Sequence, residues 1–208
     1  MSRLFVIGAG GHGAVVAEAA ADSGNWKEIY FLDDDESADA ILGFPVAGTT
    51  EMMSSLAGED AAFVVAIGDN RRRLELCEGI NRNGLRLATV VHPDATVSRS
   101  ASIGAGTVVC AGVIVNARAK IGLACILNTG STIDHDCRLG DGVHVSPGAN
   151  LAGTVHVGQC TWVGIGAAVR EGVTIGQDTI VGAGSAVVCD LGDAVTVAGV
   201  PAKALTTS

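Results

Sequence analysis

One apolar position recurs at every sixth residue through the second half of the chain, and it is occupied only by Val, Ile or Leu. A short strand of about five residues followed by a tight corner fits such a unit. Three units would close a triangular coil of eighteen residues with the aliphatic side chains inside. The pattern therefore predicts a parallel β-helix of between five and six coils. The seventeen aliphatic positions are Val91, Val97, Ile103, Val109, Val115, Ile121, Leu127, Ile133, Leu139, Val145, Leu151, Val157, Val163, Val169, Ile175, Val181 and Val187.

Two other all-β folds fit this segment less well. A β-sandwich would show turn signals at irregular spacings of roughly 8–12 residues. A calcium-binding β-helix would need a repeated Gly-Gly-x-Gly-x-Asp motif, which is absent. The repeat ends after Val187, and a short tail follows. We therefore assign residues 91–208 to a β-helix domain with a short C-terminal tail.

The first 90 residues alternate short apolar runs with stretches of helical periodicity. This alternation predicts a small parallel α/β sheet, and we assign residues 1–90 to a Rossmann-like domain. The predicted strands are Leu4–Gly8, Ile29–Leu32 and Ala61–Ile67, and the predicted helices are Ala14–Ala21 and Arg71–Asn81.

A glycine-rich turn follows the first apolar run. Gly8, Gly10 and Gly13 have the spacing of a dinucleotide fingerprint, and Asp33 lies about 25 residues further on. Such glycines let the backbone approach a phosphate or a ribose at the start of a helix. A tight strand-to-helix turn without any ligand is the alternative.

Composition and charge narrow the function. A net charge of -9 and a pI near 4.8 argue against nucleic acid as a partner, because phosphate neutralisation needs clustered Lys and Arg. The six cysteines show neither C-x-x-C nor zinc spacing, so we expect small buried apolar side chains in a reduced cytosol. Neither a signal peptide nor a membrane-spanning run is present in the sequence, and we expect a cytoplasmic protein.

His135 is the main candidate for chemistry, because Asp134 and Asp136 flank it. A carboxylate can hold an imidazole in one tautomer, which suits a general base near neutral pH. A solvated corner of the β-helix explains the same residues equally well, and strict strand alternation would point Asp136 away from His135. The spacing of His144 and His156 does not demand a metal site, and we expect no metal.

Seven segments, in this order and spacing, resemble bacterial nucleotide-sugar acyltransferases over nearly the whole chain. The resemblance is to the group of sialic acid O-acetyltransferases and UDP-4-amino-sugar or GDP-perosamine N-acetyltransferases. It implies a left-handed β-helix and a homotrimer with active sites in the clefts between neighbours. The segments are Val6–Gly13, Leu32–Asp34, Val65–Asn70, Ile126–Thr129, Ile133–Cys137, Val163–Gly166 and Ala198–Lys203.

The resemblance also implies roles for individual residues. His135 would be the general base, supported by Asp136, although relatives can carry Glu at that position. His144 would lie near the acyl-CoA carbonyl. The nucleotide sugar would be bound by Gly10, Gly11, His12, Asp33, Asp34, Gly68 and Asn128, and the backbone of Gly153, Ile165 and Ala183 would line the path of acetyl-CoA.

The implied function is acetyl-CoA-dependent N-acetylation of a nucleotide-linked 4-amino-6-deoxy sugar, UDP-linked in the first instance, by direct transfer. O-acetylation of the sialic acid type and GDP- or dTDP-linked acceptors remain open. Two other classes are a dinucleotide-dependent oxidoreductase, which the single tyrosine Tyr30 does not support, and a non-catalytic β-helix scaffold.

Overall fold

The computed structural model describes residues 2–35 and 40–205 of the chain. The N-terminal part is a parallel sheet in the order β2-β1-β5, with an additional antiparallel pair, β3 and β4, in the connection between β2 and β5. Its elements are β1 (Arg3–Ile7), α1 (Gly11–Asp22), β2 (Glu28–Leu32), β3 (Ala40–Ile41), β4 (Phe44–Pro45), a 3-10 turn (Thr50–Met52), α2 (Met53–Leu56), β5 (Ala61–Val65) and α3 (Asn70–Arg82).

The two long helices cover opposite faces of this sheet. Successive side chains of a strand point to opposite faces, so Leu4 and Val6 pack with α1 while Phe5 and Ile7 pack with α3. The predicted strands and helices are all present. Both helices are longer than predicted, and α1 begins at Gly11 because the glycine-rich segment itself forms its first turn.

From Val90 onward the chain winds through short strands on three faces. Each strand as far as β22 pairs in parallel with the strands eighteen residues away. At the C-terminal end, β23 pairs in parallel with β21, and β24 pairs antiparallel to β23. The strands are β6 (Val90–Val91), β7 (Thr96–Val97), β8 (Ser102–Ile103), β9 (Val108–Val109), β10 (Ile114–Val115), β11 (Lys120–Ile121), β12 (Ile126–Leu127), β13 (Thr132–Ile133), β14 (Arg138–Leu139), β15 (His144–Val145), β16 (Asn150–Leu151), β17 (His156–Val157), β18 (Trp162–Val163), β19 (Ala168–Val169), β20 (Thr174–Ile175), β21 (Ile180–Val181), β22 (Ala186–Val187), β23 (Thr196–Ala198) and β24 (Lys203–Ala204).

The three faces differ in their outward side chains, contributed by the first residue of each strand. The docking face (β6, β9, β12, β15, β18, β21, β23, β24) is buried under the N-terminal part as far as His144. The basic face (β8, β11, β14, β17, β20) carries Lys120, Arg138 and His156 on consecutive coils. The small-residue face (β7, β10, β13, β16, β19, β22) presents Thr96, Ile114, Thr132, Asn150, Ala168 and Ala186.

The second residue of each strand is the predicted inward aliphatic. Val91, Val97 and Ile103 in the first coil are half-buried, and all later members of the series are buried. The prediction of a six-residue repeat is therefore confirmed, but the expected strand length was wrong. Only two residues on each side pair with the next coil, because a residue with positive φ, such as Asp136 (φ 60) or Cys160 (φ 55), turns the chain at many corners.

A buried arginine joins the N-terminal part to the β-helix. Arg73 in α3 is 0% exposed, and its Nε and one Nη donate to the carbonyls of Ala124 and Gly142, each at 2.8 Å. The remaining N–H groups donate to the carbonyls of Ile67 and Gly68 and to the side chain of Asn70. Because every donor of the guanidinium is used, the start of α3 is held firmly against two successive coils.

Replacing Arg73 by Met should lower the free energy of unfolding by about 3–5 kcal/mol, since several buried carbonyls would lose their only charged donor. Urea denaturation measures the effect. Arg82→Met, at the exposed end of the same helix, is the matched control and should change the free energy by less than about 0.5 kcal/mol. Equal effects of the two substitutions would contradict this role for Arg73.

Candidate active site

His135 lies at a corner of the β-helix, beyond the end of β13, between the small-residue face and the basic face. We call this edge, formed by residues 116–118, 134–136, 152–154 and 170–172, the histidine corner. The Asp136 backbone has φ 60, which turns the chain sharply. This turn breaks strand alternation and brings Asp136 Oδ2 to 2.9 Å from His135 Nδ1. The two side chains that strict alternation would have separated therefore form a pair.

Two acidic side chains fix the position of His135, and both are held by the preceding coil. Asp134 accepts a hydrogen bond from the His135 backbone N–H at 2.7 Å and one from Asn116 at 3.0 Å. Arg118 binds both oxygens of Asp136, each at 2.7 Å. The Arg118 guanidinium, and to a smaller extent His135, holds the pKa of the Asp136 carboxyl well below its usual range.

The sequence reasoning missed Arg118, although a signal for it existed. A residue and its partner eighteen positions later stack on adjacent coils, so residue 118 must lie beside residue 136 once a three-sided coil is accepted.

Gly153 occupies the same corner one coil after His135. A Cβ atom at this position would lie 2.6 Å from His135 Nε2, so only glycine leaves room for the imidazole. The Gly153 N–H finds no acceptor among the described residues, whereas its carbonyl accepts from Gly172 at 3.0 Å and from Thr154 at 2.6 Å. A free N–H therefore lies close to the exposed nitrogen of His135.

The glycine-rich turn lies between β1 and α1 and is open to solvent at its tip. Gly8 has φ 103, and Gly13 packs against the backbone of Gly8, so neither position accepts a side chain easily. Nothing lies within 4 Å of where a Cβ would project from Gly10 or Gly11. Packing therefore requires the outer glycines, whereas the inner two leave free space at the start of the helix, where a phosphate can bind.

The acidic residues predicted to surround the nucleotide are already engaged within the fold. Asp33 accepts a hydrogen bond from the Ala9 N–H at 2.5 Å, so it fixes the glycine-rich turn. Asp34 accepts from the backbone and the hydroxyl of Thr50 at 3.0 and 2.8 Å. The Gly68 carbonyl faces Arg73 at 3.3 Å.

Two further histidines, His144 and His12, lie where the N-terminal part meets the docking face. His144 is 8% exposed and stacks on Trp162, with ring centroids 5.2 Å apart. Its Nε2 is 3.3 Å from the Asn128 amide nitrogen, and its Nδ1 has no partner among the described residues. Asn128 Oδ1 accepts from Thr129 N–H at 2.8 Å, which orients the amide so that its nitrogen donates to His144. The ring proton then resides on Nδ1, a buried donor aimed at no acceptor within the described chain.

His12 belongs to the same electrostatic environment. Burial lowers the pKa of His12 to about 4 and that of His144 to about 3, and the nearby charge of Arg73 adds to both shifts. Both imidazoles are therefore neutral at physiological pH. His12 Nε2 is also buried without a partner among the described residues.

The predicted site residues thus fall into two groups within one chain. His135, Asp136 and Gly153 share the histidine corner. Asn128, Ile165 and Ala183 lie instead on the corner between the docking face and the small-residue face, on the side of the glycine-rich turn. The width of the small-residue face separates the two groups.

Comparisons with known proteins support one family. Residues 3–80 match the PglD N-terminal domain. The chain is 39% identical over 115 residues to UDP-N-acetylbacillosamine N-acetyltransferase of Bacillus subtilis (strain 168), a stretch that covers 53% of this chain. The match spans about half, 52%, of that curated relative.

Two solved structures match over almost the full chain. The acetyltransferase domain of PglB from Neisseria gonorrhoeae FA1090 is 46% identical with a TM-score of 0.96, covering 99% of this chain and 100% of that domain. PerB from Caulobacter crescentus, in complex with CoA and GDP-perosamine, is 44% identical with a TM-score of 0.93, covering 99% and 98%.

The chain belongs to the nucleotide-sugar N-acetyltransferases of the hexapeptide-repeat class. Membership confirms the predicted left-handed β-helix with a Rossmann-like N-terminal domain, and the predicted enzyme class, an acyltransferase. The PglD N-terminal match includes the glycine-rich turn. That turn was the only ground for an oxidoreductase, so we drop this alternative.

Further features of this acetyltransferase bear on the remaining predictions. Within the described residues, no three His, Cys, Asp or Glu side chains are grouped where they could hold a metal ion. No helix in the described part of the chain is long and apolar enough to cross a bilayer. Four of the six cysteines are buried as expected, whereas Cys160 is half-buried and Cys189 is exposed.

The acetyltransferase should lose stability on acidification. Unfolded histidines titrate near pH 6.5, so between about pH 6.5 and 4 the unfolded chain binds protons that folded His12 and His144 exclude. The free energy of unfolding should therefore fall as the pH falls through this window. Urea denaturation at several pH values in this window measures the effect. The free energy of unfolding of His144→Asn should depend less steeply on pH than that of the wild type. The exposed His156→Asn control should keep the wild-type slope, and identical slopes in both variants would contradict the prediction.

Proposed function

We propose that this chain transfers the acetyl group of acetyl-CoA to the amino group of a nucleotide-linked 4-amino-6-deoxy sugar, UDP-linked in the first instance. The observation that carries the proposal is the 2.9 Å pair of His135 and Asp136 at an exposed corner, with Nε2 beside the free Gly153 N–H. The relatives agree with this chemistry, since one is named for a UDP-linked sugar and another is a complex with CoA and GDP-perosamine.

The nucleotide would bind at the glycine-rich turn. Gly10 and Gly11 leave backbone N–H groups and open space at the start of α1, which favours phosphate. Asp33 supports this cradle through the Ala9 N–H. Gly68, His12 and Asp34 would surround the nucleotide, and Asn128 would contact the sugar.

Acetyl-CoA would lie along the β-helix, with its thioester near His135. A second structure of the PglB domain is a complex with acetyl coenzyme A. The Nδ1 of His144, which has no partner among the described residues, would be a neutral donor suited to a carbonyl oxygen. The backbone at Ile165 and Ala183 would border the pantetheine arm. The exposed Ile165 side chain, at 56%, offers apolar surface on that path.

The reaction follows from these positions without a covalent enzyme intermediate. The sugar amine attacks the thioester carbonyl, and His135 Nε2 takes the proton that the nitrogen releases. The Gly153 N–H donates to the developing oxyanion. The C–S bond then breaks, and the imidazolium returns its proton to the departing sulfur, giving CoA and the N-acetyl sugar. Asp136 stabilises the imidazolium in between, and orientation of both substrates supplies much of the acceleration.

A homotrimer would bring the two groups of residues together. The histidine corner of one subunit would face the Asn128 corner of the next if the small-residue faces surround a threefold axis. Those faces carry no charged outward residue, and Ile114 is 39% exposed on them. Interfaces of this kind are depleted in charge, which supports the small-residue face as the contact.

His135→Ala should lower kcat by about 10²- to 10⁴-fold with little change in KM, because only the proton acceptor is lost. The assay uses radiolabelled acetyl-CoA with UDP-, GDP- and dTDP-linked 4-amino sugars and their hydroxyl analogues.

His156→Ala, an exposed histidine on the basic face, is the control and should retain full activity. An unchanged kcat in His135→Ala would remove His135 from the mechanism. Failure of the wild type to bind any CoA ester would favour the scaffold alternative, and acetylation only of hydroxyl acceptors would favour the O-acetyltransferase.

Ala168→Glu, on the small-residue face, should convert the trimer into monomers, because it would bury three like charges close together around the threefold axis, away from water. Sedimentation equilibrium measures the mass. Thr174→Glu, an equally exposed substitution on the basic face, should leave the trimer intact. A wild-type monomer would contradict the assembly, and so would an unaffected mass of Ala168→Glu.

A further inference from the structure

Both acidic neighbours of His135 are tied to the coil that precedes it. Asn116 donates to Asp134 at 3.0 Å, and Arg118 binds Asp136 through two N–H groups at 2.7 Å. The donors and the acceptors are eighteen residues apart, so each pair links two adjacent coils. One of the two acidic residues then hydrogen-bonds the backbone of His135, and the other hydrogen-bonds its ring.

The backbone explains why Arg118 and Asp136 meet. Both residues adopt left-handed conformations, with φ 62 and φ 60, at equivalent places on successive coils. Their side chains consequently leave the corner in the same direction. The next residue of this column, Thr154, directs its hydroxyl to the Gly153 carbonyl at 2.6 Å instead of to Asp136. Arg118 is thus the cationic partner of Asp136 in the structure.

Stability is a poor explanation for this ion pair. The side chains of Arg118 and Asp136 are 64% and 34% exposed, and exposed ion pairs contribute little to folding. Two parallel N–H···O bonds do, however, fix the plane of a carboxylate. The fixed plane matters here because Asp136 Oδ2 serves two donors, the Arg118 Nη2 at 2.7 Å and the His135 ring at 2.9 Å.

The geometry points to Arg118 as a positioning residue for the reaction proposed above: it holds Asp136 so that the ring proton of His135 stays on Nδ1 and the Nε2 lone pair faces the substrate cleft. This inference rests on the proposed function for its kinetic consequence but not for its structural one. Arg118 itself need not touch either substrate.

Loss of Arg118 has a defined consequence. The Asp136 carboxylate would be free to rotate towards solvent, since the turn at φ 60 orients only its Cβ. The neutral imidazole of His135 could then populate the tautomer with the proton on Nε2, and that tautomer cannot accept a proton from the amine. Side chains that orient a metal-bound imidazole contribute about 10- to 100-fold in activity, and we expect an effect of the same order for Arg118.

The kinetic experiment compares Arg118→Met with Arg118→Lys. We expect Arg118→Met to lower kcat about 10- to 100-fold with KM within about twofold, because substrate contacts are unchanged. Arg118→Lys should recover part of the loss, since an ammonium group can reach Asp136 but cannot bind both oxygens in a fixed plane. Arg99→Met is the control and should retain wild-type kcat, because this exposed arginine lies on the same edge of the β-helix but two coils before His135, outside the histidine corner.

A substrate-free measurement separates positioning from general structural damage. The ¹⁵N chemical shifts of the imidazole, recorded at about pH 8.5, report the tautomer of a neutral histidine. The signals of His135 are assigned as those that disappear in the His135→Asn variant. The wild type should show the proton on Nδ1, and Arg118→Met should show a mixture of tautomers. Asp136→Asn, which keeps the shape of the side chain, should disturb the tautomer in the same manner even if Arg118→Met folds poorly.

A single Nδ1–H tautomer in Arg118→Met, or a kcat within twofold of the wild type, would overturn the inference. Failure of the proposed function has a different signature. The wild type would then acetylate no acceptor, while the tautomer of His135 would still depend on Arg118.

Discussion

Eighteen-residue stacking is the constraint on which the whole molecule depends. One aliphatic side chain in every six fills the interior of each coil, and any other register would put polar residues into that interior. Once the register is fixed, every residue has defined neighbours one coil away. Arg118 meets Asp136, and Gly153 lies beside His135, for this reason alone. The arrangement of side chains at the histidine corner is therefore a consequence of core packing.

This constraint also determines how far the sequence could be interpreted. The inward positions follow from the six-residue period directly, and the β-helix was predictable from them. The His135–Asp136 pair was left open, because period-two alternation holds along a strand but fails at a left-handed corner residue. The same local turns shortened the strands to two residues. Arg118 needed a second step, from period six to a three-sided coil, although the information was present in the sequence.

The sequence carries no comparable signal for the contacts between the N-terminal part and the β-helix. Arg73 lies in an ordinary amphipathic helix, and three consecutive arginines, at 71–73, give no sign of which one is buried. Its partners are mostly backbone carbonyls, which any sequence can provide. The burial of His12 and His144 depends on this same junction, so their depressed pKa values were equally beyond a sequence-based argument.

His144 and His135 occupy two contrasting environments within a single fold. His144 is desolvated between the N-terminal part and the docking face, which keeps it neutral and leaves one N–H as a donor. His135 instead projects from an exposed corner, where its ring lies 2.9 Å from the Asp136 carboxylate. In the proposed mechanism, a donor that must stay neutral and a base that must become charged need opposite environments. A rigid β-helix with a second domain packed on one face provides both environments. The proposed trimer would bring the histidine corner of one subunit to the Asn128 corner of the next.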